Sequence, residues 1–141
     1  MEARRFYVLT VVQIASVGVL LWILFAWKTP WNAQRYIGTV LTLVGVSFIG
    51  LARYQLGRSF SIKAEAHTLV TTGIYSRIRN PIYVFGLVML IGLALVLQVP
   101  GLWIVLVVIA IGQTVRARQE ARVLEAAFWE EYREYRRKTW F

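Results

Sequence analysis

Residues 81–115 read PIYVFGLVML IGLALVLQVP GLWIVLVVIA IGQTV, 35 positions without a charged side chain. As one straight helix they would be ~52 Å long, against a hydrocarbon core of ~30 Å. Gln98-Val99-Pro100-Gly101 stand in the middle and carry turn chemistry. The stretch therefore predicts a helical hairpin of two short membrane spans, about 82–97 and 101–115.

Upstream, Phe6 to Trp27 is a second uncharged run, 22 residues long. At ~1.5 Å per residue it reaches ~33 Å, enough to cross. It is longer than the apolar region of a signal peptide, and bulky Phe25-Ala26-Trp27 is no cleavage site, so it reads as a retained span, about 6–27. Lys28-Thr29-Pro30-Trp31-Asn32 is a loop: Pro30 breaks the helix, Trp27 and Trp31 suit the headgroup zone, and Asn32 can cap the next helix. A further span runs over about 36–56, with Gly57 as a C-cap. Its Gly38, Gly45 and Gly50 would let a neighbouring helix approach closely. The expectation is an all-α polytopic membrane protein, a single domain over residues 1–141 with four spans.

Composition agrees. Of 141 residues 58% are hydrophobic and 16% charged, and the mean hydropathy is +0.58, whereas soluble domains run near ~25% charged. There is no cysteine, no aspartate and one histidine. That excludes disulfides, thiolate catalysis and cysteine metal sites, and leaves almost nothing for a triad or another metal cluster. The net charge of +9 implies anionic membrane lipids as partners rather than nucleic acid. With four spans, 14 of the 16 basic residues fall on one side, only Lys28 and Arg35 on the other. The positive-inside rule makes that side cytoplasmic, both termini included.

Two segments do not span. The linker, 57–81, is longer than the 2–8 residues that usually join helices, and long ordered loops tend to be functional. Asn80-Pro81 is explained by helix capping alone; a helix N-terminus with free N–H groups would also favour an anionic ligand group. His67 on its own reads as an interface histidine. The second segment is a charged helix, about 116–138, on which Ala117, Ala121, Leu124, Phe128, Tyr132 and Tyr135 form one apolar stripe. It lies at the membrane surface or packs under the bundle. Arg116 and Glu120 share a face at i,i+4, which by pattern is a solvated ion pair.

Together the two segments resemble a known family. His67-Thr68-Leu69-Val70-Thr71-x-Gly73-x-Tyr75 is followed by Arg79-Asn80-Pro81-x-Tyr83 and a two-span hairpin. Then comes Arg116-x-x-x-Glu120-x-x-x-Leu124-x-x-x-Phe128-x-Glu130-Glu131-Tyr132-x-Glu134-Tyr135. The set, over about 53–138, is similar to the isoprenylcysteine carboxyl methyltransferase family, which has phospholipid methyltransferase relatives. The resemblance implies an integral membrane methyltransferase that uses S-adenosyl-L-methionine on a lipophilic acceptor, a prenylated cysteine or a lipid. It implies that His67, Thr68, Leu69, Val70 and Tyr75 line the cofactor pocket, that Asn80, Pro81, Ile82 and Tyr83 close it, that Glu120 holds the cofactor's polar end, and that Arg116 orients the substrate. The chain departs from the pattern in three places: Asn80 stands where histidine is frequent, Ala121 replaces the second of two adjacent glutamates, and Trp129 replaces a glycine.

An already ionised carboxylate acceptor needs a cation to orient it and no base. An amine acceptor must be neutral, and a carboxylate would then help. With Glu120 committed to the cofactor, the balance tilts toward a carboxylate or thiol-like acceptor, most like carboxyl O-methylation, with phospholipid amine N-methylation as the alternative. A small transporter would need an ionisable group inside the membrane, and the uncharged stretches of the spans offer none. A non-catalytic four-span protein is the remaining class.

Overall fold

The computed structural model describes residues 2–56 and 69–141, with side chains of the first helix from Val11 onward, Gln13 excepted. Among them the chain is all-helical. Four helices, α1 (Glu2–Ala26), α2 (Ala33–Leu56), α3 (Pro81–Leu97) and α4 (Leu102–Lys138), make up most of it, and a 3-10 turn, Gly73–Ser76, precedes α3. Gly57 lies outside the described residues. By length and composition, α2 and α4 can each cross a membrane; α3 and the Ile14–Ala26 part of α1 are shorter apolar segments. Two helices long and apolar enough to span are therefore present where four spans were expected. The 17 residues of α3 reach only ~26 Å.

The tightest packing is between α2 and α3, which run antiparallel. A Cβ added at Gly92 would lie 2.5 Å from the Thr42 nitrogen, one at Gly38 2.6 Å from the Gly92 carbonyl oxygen, and one at Gly45 2.7 Å from the Met89 nitrogen. Only hydrogen fits at these points, so the backbones touch, and dispersion contact replaces the hydrophobic drive that lipid does not supply. Thr42 is fully buried and donates its hydroxyl back to the Gly38 carbonyl at 2.8 Å. Farther along, Phe48 and Phe85 stack with centroids 4.5 Å apart. Gly50, the third glycine on α2, faces open space.

One end of the molecule is closed by its two short connections. Asn32 caps α2, accepting from the Arg35 N–H at 3.0 Å. α3 stops at Leu97 because Gln98 turns left-handed (φ 56°), and the Gln98 side chain donates to Asn32 Oδ1 at 3.3 Å. The Thr29 hydroxyl donates to the Val96 carbonyl at 2.8 Å. Arg35 is 1% exposed. It donates to the carbonyls of Thr29 and Leu24 and lies over the Trp31 ring, 4.0 Å from its centroid. A cation at the last turn of α1 is favoured by the helix dipole. Upstream of this clamp, Val11, Ile14, Val19 and Trp22 are exposed.

The expected break between a fourth span and a separate helix at 116 is absent. α4 continues through Val115-Arg116 and breaks instead at Trp129 (φ 37°, ψ −109°). Beyond it, Arg133 Nε reaches Glu125 Oε1 at 3.1 Å. Residues eight apart are ~12 Å apart along a straight helix, so the chain bends sharply here. This backbone conformation is one that glycine adopts freely and L side chains do not. Trp129 stands where the resembling family has glycine, and its ring, 4.9 Å from the Arg133 guanidinium, offsets part of the strain.

Gly92→Leu, which must force α2 and α3 apart, should destabilise the protein by more than about 2 kcal/mol, while Gly50→Ala should leave it unchanged or slightly stabilised; thermal melts in detergent measure both. Trp129→Gly should be more stable than Trp129→Ala by about 1 kcal/mol or more, the reverse of the order in a helix interior. Equal or ordinary-order melting temperatures would show that Trp129 is unstrained.

Candidate active site

At the end opposite the Arg35 clamp, the described part of the linker, residues 69–80, the first turn of α3 and the middle of α4 meet. Pro81 is the first residue of α3, where its missing N–H costs nothing, and Tyr83 lies two residues on. The helical period of α4 puts Arg116 and Glu120 on one face. Glu120 Oε1 accepts the Tyr83 hydroxyl at 2.6 Å and Arg116 Nε at 3.0 Å. The Glu120 side chain is 26% exposed and that of Arg116 50%. The ion pair alone contributes about 0.3–0.5 kcal/mol. A short hydrogen bond to an ionised carboxylate contributes about 1.5–3 kcal/mol, so Tyr83 is the stronger tie.

The linker is shaped by its own contacts. Gly73 has φ +62°, and a Cβ there would run into the Gln55 side chain. Gln55 Oε1 accepts the Ile74 N–H at 2.7 Å, which ties the end of α2 to the 3-10 turn. Tyr75 is buried, and its carbonyl accepts the hydroxyl of buried Tyr135 at 2.7 Å. Tyr132 packs beside Tyr135 and is 2% exposed. The bend at Trp129 is what turns these tyrosines onto the linker. After α4, residues 139–141 run parallel to 77–80: Trp140 N–H donates to the Arg77 carbonyl at 2.7 Å, and Arg79 N–H to the Trp140 carbonyl at 3.1 Å.

Of the residues expected at a site, Tyr75, Asn80, Pro81, Ile82, Tyr83, Arg116 and Glu120 are brought to this corner. Leu69 and Val70 are half-buried just before the turn. His67 and Thr68 lie outside the described residues. One expectation is corrected. Asn80 occupies the N-cap position but makes no side-chain cap. Its N–H and its Nδ2 both donate to the Phe141 main-chain oxygen, at 2.9 and 3.3 Å. The paired segment 139–141 supplies an acceptor that competes with capping. Sequence reading missed Gln55, which carried no signal, and the hydroxyl partner of Tyr135, whose ring alone was visible in the apolar stripe.

Burial is the main cause that raises the Tyr75 and Tyr135 hydroxyls. Tyr135 is pushed up to about 12, with Tyr132 adding and Arg79 opposing; Tyr75 also moves up, by burial and then by Tyr135 and Glu120. The neutral phenols therefore favour the folded form. That stability is complete below the ordinary value of 10 and is lost as pH rises through about 12. The melting temperature should fall over this window, and less steeply in Tyr135→Phe, with Tyr75 still contributing; an unchanged slope would remove Tyr135 from the account.

The donor set suits a small organic cation. Glu120 supplies a negative charge beside the Tyr83 ring, and aromatic faces attract cations. Among the described residues no group of three metal-ligating side chains occurs. The model of the phospholipid methyltransferase family matches residues 32–131, which include Tyr83, Arg116 and Glu120. No curated protein matches the chain.

Proposed function

The chain belongs to the phospholipid methyltransferase family, membrane methyltransferases that act on lipid and generally use S-adenosylmethionine, and on that premise we propose that the linker–α3–α4 corner binds this cofactor and methylates the head of a lipophilic acceptor. The observation that supports it best is the Glu120 carboxylate, held by Tyr83 from one helix and Arg116 from its own. When bound, the cofactor supplies a methyl group activated on a sulfonium cation. Glu120 attracts the cationic end, and Tyr83 keeps the carboxylate from turning away. Tyr75, Leu69 and Val70 form the wall that excludes water, while Asn80, Pro81 and Ile82 set where α3 begins. Transfer is an in-line displacement, which needs alignment more than acid–base work.

Residues 1–141 act as one membrane-embedded unit. Four spans with this corner and both termini on the cytoplasmic side fit the 14 basic residues gathered there. The two short connections lie together at the opposite end, as alternating spans require. The acceptor's chain lies among the helices and its head reaches the corner.

For the head itself, Arg116 favours a carboxylate, as in a prenylated cysteine. Its guanidinium is half exposed and can orient an anion, and Glu120 already has two donors on one oxygen. The family match favours the amine of a phospholipid headgroup equally well, with Arg116 then facing the phosphate. The products differ chemically: a methyl ester releases methanol in base, an N-methyl group does not.

Glu120→Ala should weaken S-adenosylmethionine binding by at least about tenfold, ~1.4 kcal/mol, by isothermal titration of the purified protein. Arg116→Ala should spare binding and abolish transfer; loss of both in Arg116→Ala would show that the division of roles is wrong. Methyl-labelled cofactor added to proteoliposomes containing a farnesylated cysteine and phosphatidylethanolamine should give base-labile label, and base-stable label would select the amine.

A further inference from the structure

The segment after α4 lies at this end and the proposed chemistry does not use it. Residues 139–141 lie beyond the family match, which stops at 131. Thr139 is extended (φ −120°, ψ 148°). From there the backbone pairs in parallel with the linker through the Trp140 N–H to the Arg77 carbonyl, the Arg79 N–H to the Trp140 carbonyl, and the Asn80 N–H to the Phe141 oxygen, at 2.7, 3.1 and 2.9 Å. The side chains do little of this: Trp140 is 65% exposed. Main-chain pairing of this kind fixes position independently of side-chain identity.

What it fixes is the start of α3. Asn80 is the last residue before the helix, and its carbonyl accepts from Tyr83 N–H and Val84 N–H, both at 3.1 Å. Tyr83 then reaches Glu120 at 2.6 Å. The other end of the strap is anchored on α4 itself, where Thr139 donates its hydroxyl to the Tyr135 carbonyl at 2.8 Å. The strap thus ties α4 to the residue that sets the height and rotation of Tyr83. Direct packing between α3 and α4 is sparse next to that of α2 on α3, and Ile104, Val107, Val108 and Ile111 of α4 are all exposed. Without the strap, the Tyr83–Glu120 hydrogen bond, with the Tyr135–Tyr75 bond to the linker, would have to hold this end in register.

We propose that residues 139–141 are a positioning strap for the site: their backbone pairing with residues 77–80 sets the Tyr83–Glu120 geometry on which affinity for the methyl donor depends. This rests on the methyl-donor reading above. The strap touches neither donor nor acceptor; it acts through Asn80 and Tyr83.

Two substitutions at one position separate backbone from side chain. Trp140→Pro removes the N–H that bonds Arg77, and Thr139 already has the extended conformation that a following proline demands. Trp140→Ala removes the ring and keeps the N–H. In the purified full chain, Trp140→Pro should raise the S-adenosylmethionine dissociation constant five- to tenfold and speed amide exchange at Ile78–Val84. Trp140→Ala should match the wild type within twofold in both. Exchange in the α2–α3 contact around Thr42 should not change in either, which a general loss of folding would not allow. A chain ending at Lys138 is the second variant if Trp140→Pro does not fold. Equal behaviour of the proline and alanine variants overturns the strap, and so does tighter donor binding in Trp140→Pro, which would make the segment an occluder. Should the wild type bind no donor, the functional reading fails separately, and amide exchange at Ile78–Val84 still decides whether the strap holds α3.

Discussion

The hydrogen bond from Tyr83 to Glu120 is the constraint on which the site depends. It is a side-chain tie between the first turn of α3 and the middle of α4, two helices whose direct packing is sparse next to that of α2 on α3. The bond fixes a negative charge at the mouth of the bundle. It also explains why the surrounding features occur together. The linker must be anchored to α2 through Gln55, α4 must bend at Trp129 to bring Tyr132 and Tyr135 onto Tyr75, and residues 139–141 must return to the linker. Each of these holds one side of the same corner.

The two ends of the molecule solve opposite problems. At the end away from the site, a fully buried arginine satisfies the carbonyls of Leu24 and Thr29 and stacks on Trp31, so the loop between α1 and α2 is closed and rigid. At the opposite end the polar groups are partly open, with the Arg116 side chain 50% and that of Glu120 26% exposed. Between the ends, glycine and threonine let α2 and α3 touch without any charged side chain. Helix association in lipid runs on close contact, and α2–α3 is where the packing is closest.

Much of this was legible in the sequence, and the rest was hidden for physical reasons. The uncharged run 81–115 with Gln98-Val99-Pro100-Gly101 predicted a hairpin broken at the place where Gln98 turns left-handed. Asn32 capped as expected, and Gly38 and Gly45 made the expected close approach. Gly50 did not, because spacing alone cannot tell which face meets a partner. Arg116 and Glu120 were readable from i,i+4 spacing, but the tie to Tyr83 was not, since it joins residues 37 apart in sequence. The break at Trp129 was unreadable from propensity: tryptophan is not a breaker, and only its occupation of a glycine position in the resembling family marked it. Asn80 misled because capping and pairing with residues 139–141 draw on the same residue.

Tyr83 and Glu120 must act as one unit toward a cationic methyl donor if this corner is the site. A double-mutant cycle on S-adenosylmethionine affinity, with Tyr83→Phe, Glu120→Ala and the pair, tests this directly. Acting together, the two single changes should not add, and the coupling should be at least about 1 kcal/mol. Full additivity would contradict the account, because the two residues would then be contributing separately and the corner would not be a single binding site.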